Sequence, residues 1–503
     1  MKIPEKILIF PAIFLLLSAC AVGPDYVRPS VDVPDRFKEA KGKAVMGSEK
    51  NKNPQKHAVK PTGQWKEAAP EDACNRGEWW KIFNDAKLNM LEAHLDISNQ
   101  TIKNAYENWQ QARALVDEAR AAFWPTLTGS LGFTRQSQGS GFASSGTSTS
   151  GTTTGTTTSS SSVSNSYQWM LNASWEPDIW GSVRRTVEAA AAGAQASDAL
   201  LALTQLSAQA SLAQYYFELR GLDSDQKLLD DTVKKYRKIL TYTKNRYAEG
   251  VDQQTDIIQA KSQLETALAA AINNQVLRSQ YEHAIAVLTG VPPAEFSMAA
   301  NPLTAVPPPI PLEVPSVLLE RRPDIAQAER LMAQANAQIG VAVAAWFPTL
   351  TLSGLASTTT QKLFSVPELT WSLGAQLAET LLDGGLRSAT VRAAESGYRA
   401  SVANYRQTVL AAFQNVEDNL AALRILAKQA VYQNRAALDA KHALQLTINQ
   451  YRAGTVDYSS VLTAQITSFT AEKTARDLQY LRMTTAVGLI KALGGGWDEK
   501  LMT

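Results

Sequence analysis

The sequence lacks the residue patterns on which most enzymes depend. Its four histidines stand far apart, and it contains no Walker phosphate loop, dinucleotide fingerprint, Cys-x-x-Cys pair or nucleophile elbow. Eight methionines are scattered without clustering, so nothing supports a copper or silver route. We therefore predict that the protein is not an enzyme and has no cofactor or metal site.

The chain also lacks an excess of either positive or negative charge. The chain has 49 Lys and Arg against 47 Asp and Glu, which leaves a net charge of +2 over 503 residues. A nucleic-acid-binding protein needs an excess of cations to neutralise phosphates. The balance therefore argues against a nucleic-acid partner.

The chain has only two cysteines, and one of them follows the apolar run at the N-terminus. Lys2 and Lys6 precede an apolar run that is too short to span a bilayer comfortably, and the run ends in Leu17-Ser18-Ala19-Cys20. This arrangement resembles the lipobox of bacterial lipoprotein signal peptides. It implies that residues 1–19 are a signal peptide and that Cys20 is the lipidated first residue of the mature chain. The other cysteine, Cys74, is then a free thiol.

The stretch 121–128 occurs twice. Ala-Ala-Phe-Trp-Pro-Thr-Leu-Thr returns at 344–351 with only the aromatic pair swapped. Pro125 and Pro348 are separated by 223 positions, whereas Gly250 and Gly454 are separated by 204. A full duplication explains both spacings if the first half carries about 19 extra residues, which its Ser/Thr/Gly tract would supply.

The duplication gives the domain organisation. A lipidated N-terminal tether (20–77) precedes the first structural repeat (78–291), a Pro-rich connector (292–315) and the second repeat (316–503). In each repeat a helix stops at proline and gives way to residues that alternate apolar with Thr or Ser, which predicts strands. The strands are placed at about 126–135 and 167–176, joined by a flexible extracellular loop (136–166), and at about 349–357 and 368–378.

Long helices without proline follow each strand pair. They run from Ser182 to about Glu249 and from Ser388 to about Arg452, roughly 100 Å each at 1.5 Å per residue. Shorter helices, 254–288 and 459–493, return along them. Helices of this length predict an elongated antiparallel bundle and not a compact globular domain.

Four amphipathic strands cannot close a barrel in a membrane, where open sheet edges are not tolerated. Two chains would supply eight strands around a filled interior, whereas three would supply twelve around a lumen that suits the polar strand faces. The predicted fold class is therefore an α+β membrane protein: a trimeric 12-stranded β-barrel with four strands per chain, continued by a long antiparallel α-helical periplasmic tunnel, with an internal two-fold repeat.

Several motifs in one order carry a family resemblance over nearly the whole chain. They are Gly23-Pro24-Asp25-Tyr26-Val27-Arg28-Pro29, Trp79-Trp80-Lys81, Trp175-Glu176-Pro177-Asp178-Ile179-Trp180-Gly181 and Leu319-Glu320-Arg321-Arg322-Pro323-Asp324-Ile325. The chain resembles the TolC-like outer-membrane efflux factors, in the lipoprotein subgroup related to OprM and NodT. The resemblance implies a homotrimer in the outer membrane, docked to a periplasmic membrane-fusion adaptor and to an inner-membrane pump, which we expect to be of the RND type.

The turns after the long helices are candidate functional sites. A glycine just past a helix end explains each turn structurally. In the family these turns form the periplasmic tip that meets the adaptor and closes the tunnel. By that resemblance Tyr247, Gly250, Tyr451 and Gly454 are predicted tip residues that contact the adaptor.

A gate is predicted near the same turns. Relatives often carry acidic residues six or nine positions after the second glycine, where this chain has Ser460 and Thr463. That departure leaves Asp252, Asp256 and Asp457 as alternative gate residues. The competing interpretation of each is a helix cap or a solvated charge.

Two aromatic pairs stand where helix meets strand. Phe123, Trp124, Trp346 and Phe347 are predicted to line the periplasmic boundary of the membrane, where such rings concentrate. Packing within the helix-to-strand joint is the alternative.

These observations predict a passive, gated export duct for small molecules such as drugs or other toxic compounds. A structural envelope-spanning lipoprotein without transport activity and a duct for a secretion system are the alternatives. Neither the cargo nor the cognate pump can be read from the sequence.

Overall fold

The computed structural model describes residues 21–30, 33–34, 37–39, 77–138, 162–310, 321–361 and 368–495. The predicted signal peptide, Cys20, Cys74 and most of the loop 136–166 lie outside these residues. Within the described residues, no helix combines the length and the apolar character that crossing a membrane requires.

Each repeat contains a helix that leads into two strands, followed by a long helix and a shorter helix, and the first repeat has one further helix at its start. The first contains α1 (Ala86–Ser98), α2 (Gln100–Ala121), β1 (Thr126–Gln138), β2 (Ser162–Trp175), α3 (Ser182–Ala248) and α4 (Gln254–Leu288). The second contains α5 (Pro323–Ala344), β3 (Thr349–Thr360), β4 (Leu369–Ala378), α6 (Leu386–Arg452) and α7 (Tyr458–Ala492). The two long helices, α3 and α6, both have 67 residues.

The predicted elements are all present, and the differences lie at strand ends. Strand β1 extends to Gln138 and β2 begins at Ser162, so both continue into the tract that we expected to be loop. The two strands pair along their whole length, down to Gln138 opposite Ser162. Cross-strand hydrogen bonds therefore continue past the point where the apolar alternation ends.

The chain divides into two units. One comprises the described parts of Met1–Val27, Arg113–Ala192 and Ala333–Arg399, and the other those of Arg28–Ala112, Gly193–Met332 and Ala400–Thr503. The first unit contains a four-stranded antiparallel sheet in the order β1-β2-β3-β4. Among the described residues, β1 and β4 each pair with one strand only, so each leaves one edge without a partner in the chain.

The sheet has one apolar face. Side chains on one face of a strand lie opposite side chains on the same face of the next, and the register brings Leu131 opposite Trp169 and Leu350 opposite Leu377. Members of this face are highly exposed: Leu131 by 85% and Leu373 by 80%. The opposite face carries mostly polar residues, namely Thr126, Thr128, Ser130, Gln168, Asn172, Ser353, Ser357, Thr370 and Ser372. A sheet face this apolar and this exposed is suited to contact with lipid.

The second unit has a conventional aromatic core. The motif that begins the first repeat forms a short 3₁₀ turn (Trp79–Phe83), and the ring of Phe83 lies 4.9 Å from that of Phe217 on α3. Asp85 then caps α1 by accepting hydrogen bonds from two backbone N–H groups, and its carboxylate also accepts the hydroxyl of Tyr216 at 2.6 Å. The buried leucines of α1 at positions 88, 91 and 95 complete this core.

A paired glycine substitution tests the packing of the second unit. Gly290 and Gly250 have similar φ values of 71° and 75°. A Cβ atom at Gly290 would lie 2.5 Å from the carbonyl oxygen of Ser98, whereas a Cβ atom at Gly250 would have no atom within 4 Å. We expect Gly250→Ala to cost about 1–2 kcal/mol for the left-handed backbone alone. Gly290→Ala should cost about 1–3 kcal/mol more because the end of α1 must move.

The measurement is the loss of helical circular dichroism on heating in mild detergent. Gly290→Ala should lower the transition temperature clearly more than Gly250→Ala does. Equal shifts for the two variants would contradict the close packing of α1 against the end of α4.

Candidate functional site

The turns that follow α3 and α6 have the same geometry. The N–H of Gly250 donates to the carbonyl of Tyr247 at 2.9 Å, and that of Val251 donates to Arg246 at 2.9 Å. Gly454 and Thr455 repeat both bonds in the second half, and the two glycines have φ values of 75° and 76°. This is the glycine-terminated helix end that the spacing predicts. The structural explanation of both glycines is therefore confirmed.

Three side chains join the two turns, and we call them the tip clamp: Arg246, Asp252 and Tyr451. The carboxylate of Asp252 accepts a hydrogen bond from Nε of Arg246 at 2.9 Å and another from the hydroxyl of Tyr451. Arg246 also donates to the backbone carbonyl of Tyr451 at 2.9 Å, and its guanidinium lies 4.7 Å from the centre of that ring. The first helical hairpin (α3–α4) thus holds the second (α6–α7) by charged hydrogen bonds and a cation–π contact.

The clamp is shielded from water. Tyr451 is 2% exposed, and it belongs to an apolar cluster with Ala260, Tyr458 and Val461. Burial and the hydrogen bond to Asp252 raise the pKa of Tyr451 above its usual range. Its hydroxyl therefore keeps its proton and remains a donor to the carboxylate throughout the physiological pH range.

The five predicted gate residues divide into three groups. Of the five, only Asp252 has a described hydrogen bond to the other helical hairpin, which it makes with Tyr451. Asp256 forms a capping box with Gln253, and Asp457 caps α7 by accepting the N–H of Ser460 at 3.1 Å. Hydrogen bonds from the Ser460 hydroxyl and N–H, and from Ser459, lower the pKa of Asp457. The cap interpretation is thus correct for these two aspartates.

Ser460 and Thr463 lie on a groove between α6 and α7. The other residues that line this groove are small: Ala440, Ala443, Ser459, Ala464 and Thr467. Both predicted residues are exposed, and the hydroxyl of Thr463 donates a hydrogen bond to the carbonyl of Ser459 at 3.0 Å. A carboxylate is absent from these two positions, so any gating by them must be steric.

The two tyrosines that are predicted to contact the adaptor differ in exposure. Tyr451 is buried in the tip clamp and offers no side-chain surface to a partner, whereas Tyr247 is 45% exposed. The repeat places the two tyrosines at equivalent positions, so their spacing alone does not distinguish them. The signal that was missed is Arg246, whose second-half equivalent is Gln450, so only the first half supplies a cation for a buried tyrosine and aspartate. Adaptor contact stays a prediction for Tyr247, Gly250, Tyr451 and Gly454, and the exposed Tyr247 fits it better than the buried Tyr451.

The aromatic pairs at the helix-to-strand joints differ in packing. Trp180 stacks on Phe347 at 4.8 Å and donates its indole N–H to the carbonyl of Pro348 at 2.7 Å. The guanidinium of Arg387 lies 4.9 Å from the ring centre of Trp346. In the first half, Trp124 is 74% exposed, and Trp175 donates to the backbone carbonyl of Phe123 at 3.0 Å. Joint packing thus explains Phe347, while a membrane boundary role for the four rings stays a prediction.

Residues 21–30, which belong to the predicted tether, are bound to helices of the chain. In the first unit, Arg185 donates to the carbonyls of Val22 and Gly23, both at 3.3 Å, and to the carboxylate of Asp25 at 2.8 Å. The side chain of Arg185 is only 5% exposed. A Cβ atom on Gly23 would lie 2.5 Å from the Cα of Gly340, so the segment fits closely.

The second unit binds the next part of the same segment. Arg28 donates to the hydroxyl of Tyr405 at 3.0 Å, and the carboxylate of Glu417 accepts the N–H groups of Lys38 and Glu39 at 2.6 and 2.9 Å. Backbone and side-chain groups of this segment thus form hydrogen bonds with helices.

Removing the Arg185 side chain should free the start of the chain. We expect Arg185→Ala to raise the hydrogen-exchange rate of the amides in residues 21–27 at least tenfold, because charged hydrogen bonds of about 1.5–3 kcal/mol are lost. Exchange is measured by mass spectrometry on the protein in detergent. Arg120→Ala is the control, since Arg120 pairs with Asp117 on the exposed surface of α2 in the same unit. Equal exchange in the two variants would contradict the role given to Arg185.

Known proteins are similar to this chain over almost its full length. The family model described as "Outer membrane efflux protein" matches residues 94–291 and 314–495. The cation efflux system protein CusC of Escherichia coli O6:H1 is 27% identical over 503 residues, covering 99% of this chain and 100% of that protein. The pyoverdine export outer membrane protein OpmQ of Pseudomonas aeruginosa is 29% identical over 447 residues, covering 87% of this chain and 91% of that protein.

A solved structure shares the fold. The outer-membrane channel OprN aligns with a TM-score of 0.79 at 26% identity, covering 95% of this chain and 100% of that one. The likeness confirms the predicted fold class.

Proposed function

Because the chain belongs to the outer membrane efflux protein family, we propose that it is the outer-membrane channel of a tripartite efflux pump, a passive gated duct for small molecules. The observation that carries this proposal is the four-stranded sheet, which has one exposed apolar face, one polar face and two edges that pair with no other strand of the described residues. Such a sheet suits lipid on one side and water on the other. The energy for export then comes from the partner pump.

The assembly is a homotrimer in this proposal. Lipid tolerates no open sheet edge, so copies of the chain must pair β4 of one with β1 of the next. Three copies supply twelve strands, which leaves a water-filled lumen lined by the polar face, whereas two would supply eight and fill the interior with side chains. The Cys20 lipid anchors each copy to the outer membrane.

The gate of the duct is the tip clamp. Asp252 and Arg246 belong to the first hairpin and Tyr451 to the second, so separating the two hairpins must break both hydrogen bonds that involve Tyr451. A hydrogen bond to a charged group contributes about 1.5–3 kcal/mol, so the clamp favours the closed arrangement without making it permanent. A partner that binds the exposed surface of the turns can supply that free energy. The periplasmic membrane-fusion adaptor is the partner expected at Tyr247, Gly250 and Gly454, with an RND-type pump beyond it.

Likeness to relatives does not fix the cargo. CusC is named for cation efflux and OpmQ for pyoverdine export, yet both are similarly distant from this chain. Within the described residues, no group of three or more His, Cys, Asp or Glu side chains is placed to hold a metal ion. We propose toxic small molecules, drugs among them, as the cargo class, since a wide polar lumen makes few specific contacts with what passes.

Conductance and drug susceptibility test the proposed function together. The purified protein should give discrete openings in planar bilayers, and a strain without it should become more sensitive to toxic compounds that the intact strain exports. A structural lipoprotein would give neither result, because it has no path for ions. Discrete openings without any change in susceptibility would support a duct for a secretion system instead.

Variants of the tip clamp test the gate. Tyr451→Phe removes the hydroxyl that bonds Asp252, and Asp252→Asn removes the charge that holds Arg246. Each should raise the open fraction of single channels at least tenfold, because about 1.4 kcal/mol corresponds to a tenfold change in an equilibrium. Tyr247→Phe changes the equivalent, exposed tyrosine and should behave like the unaltered protein. A gate formed elsewhere would leave all three variants alike.

A further inference from the structure

The two unpaired sheet edges can be placed against each other residue by residue. The inference rests on the proposed trimeric channel, in which β4 of one copy meets β1 of its neighbour. It goes beyond that proposal because the internal repeat fixes which residues lie opposite each other. Within the described sheet, the β2–β3 pair supplies the register to be transferred, and the β1–β2 and β3–β4 pairs test whether the repeat preserves register.

The check comes from the two hairpins within the chain. Positions in β1 and β3 differ by 223, as at Thr126 and Thr349, and positions in β2 and β4 differ by 204, as do Gly181 and Gly385 before the long helices. In the first hairpin Leu127 lies opposite Ala173. Applying the two offsets gives Leu350 opposite Leu377, and that is the pairing found in the second hairpin. The repeat therefore preserves strand register without a slip.

The junction between the hairpins supplies the template. Strand β2 pairs antiparallel with β3, with Ala173 opposite Gly354 and Leu171 opposite Ala356. The same offsets convert β2 into β4 and β3 into β1. We propose that β4 pairs antiparallel with β1 of a neighbouring copy in the register that sets Leu377 opposite Leu131, and Ala375 opposite Phe133, of that neighbour.

The faces of the sheet limit the alternatives. A slip by one residue would turn apolar side chains of one strand to the side where its neighbour is polar. Registers that differ by two residues keep the faces matched and set Leu377 opposite Gly129 or Phe133 instead. Leu377 and Leu131 are 66% and 85% exposed in the single chain, so both edges are free to make this contact.

The seam between copies differs from its template at one end. Within the chain, Trp180 stacks on Phe347 beside the β2–β3 pair. The repeat equivalents at the seam are Gly384 and Trp124, so the stack has no counterpart there. Trp124 is 74% exposed in the single chain, and Gly384 of the neighbour has no ring to cover it. The seam consequently depends on strand pairing more than the inner junction does.

Disulfide cross-linking tests the register in assembled protein. Residues directly opposite on antiparallel strands have Cα atoms about 4.5–5.5 Å apart, within disulfide reach, whereas diagonal neighbours are about 7–8 Å apart and mostly outside it. Leu131→Cys and Leu377→Cys are combined in one chain with Cys74→Ser, and Cys20 is kept. Outer membranes are oxidised and run on denaturing gels without reductant.

The proposed register predicts covalent trimers that reductant dissolves. The matched controls combine Leu377→Cys with Gly129→Cys or with Phe133→Cys, and each should cross-link at least tenfold less. The pair Ala375→Cys with Phe133→Cys is a second predicted contact, in case the first variant assembles poorly. Faster cross-linking of either control would overturn the register.

Failure of the register and failure of the trimer give different results. An amine-reactive cross-linker reports the number of copies without reference to strand pairing. Trimers with this reagent, together with no disulfide in either predicted pair, would disprove the register and leave the channel proposal standing. Absence of trimers with both reagents would disprove the trimer itself.

Discussion

Backbone hydrogen bonding at the two ends of a four-stranded sheet constrains everything else in this protein. Strands β1 and β4 are paired on one side only in the described chain, and their apolar face remains uncovered. In lipid each unsatisfied N–H or C=O group costs several kcal/mol, so a lone sheet of this kind is not stable there. Neighbouring copies remove the cost along the whole edge. The exposed leucines and the polar opposite face then acquire a common explanation in a hollow barrel.

Duplication provides the scaffold, and small departures from it provide function. Arg246 has Gln450 as its second-half equivalent, and Trp180 has Gly384. The first departure lets one hairpin hold the other through Asp252 and Tyr451, which identical halves would not do. The second leaves Trp124 uncovered at the edge where a neighbour arrives. Both asymmetries therefore lie where we propose that the protein opens and assembles.

Much of the fold could be predicted because its signals are local and periodic. Alternating residues predicted the strands, stretches without proline predicted the long helices, and proline or glycine predicted helix ends to within a few residues. The site was harder to predict. Tyr247 and Tyr451 share a motif, but only tertiary packing decides that one is exposed and the other buried. The binding of residues 21–30 was also missed, because its hydrogen bonds go to helices more than 150 positions away, such as that of Arg185.

The number of chains in the assembled particle tests the central claim most directly. Native mass spectrometry of the full-length protein, released from a mild detergent micelle, counts the copies of a chain of known sequence without assuming anything about its fold. Closure of the sheet by neighbours predicts a particle of three chains at the lowest concentration that can be measured. A stable, folded monomer would show that one chain satisfies its own sheet edges and would contradict the account.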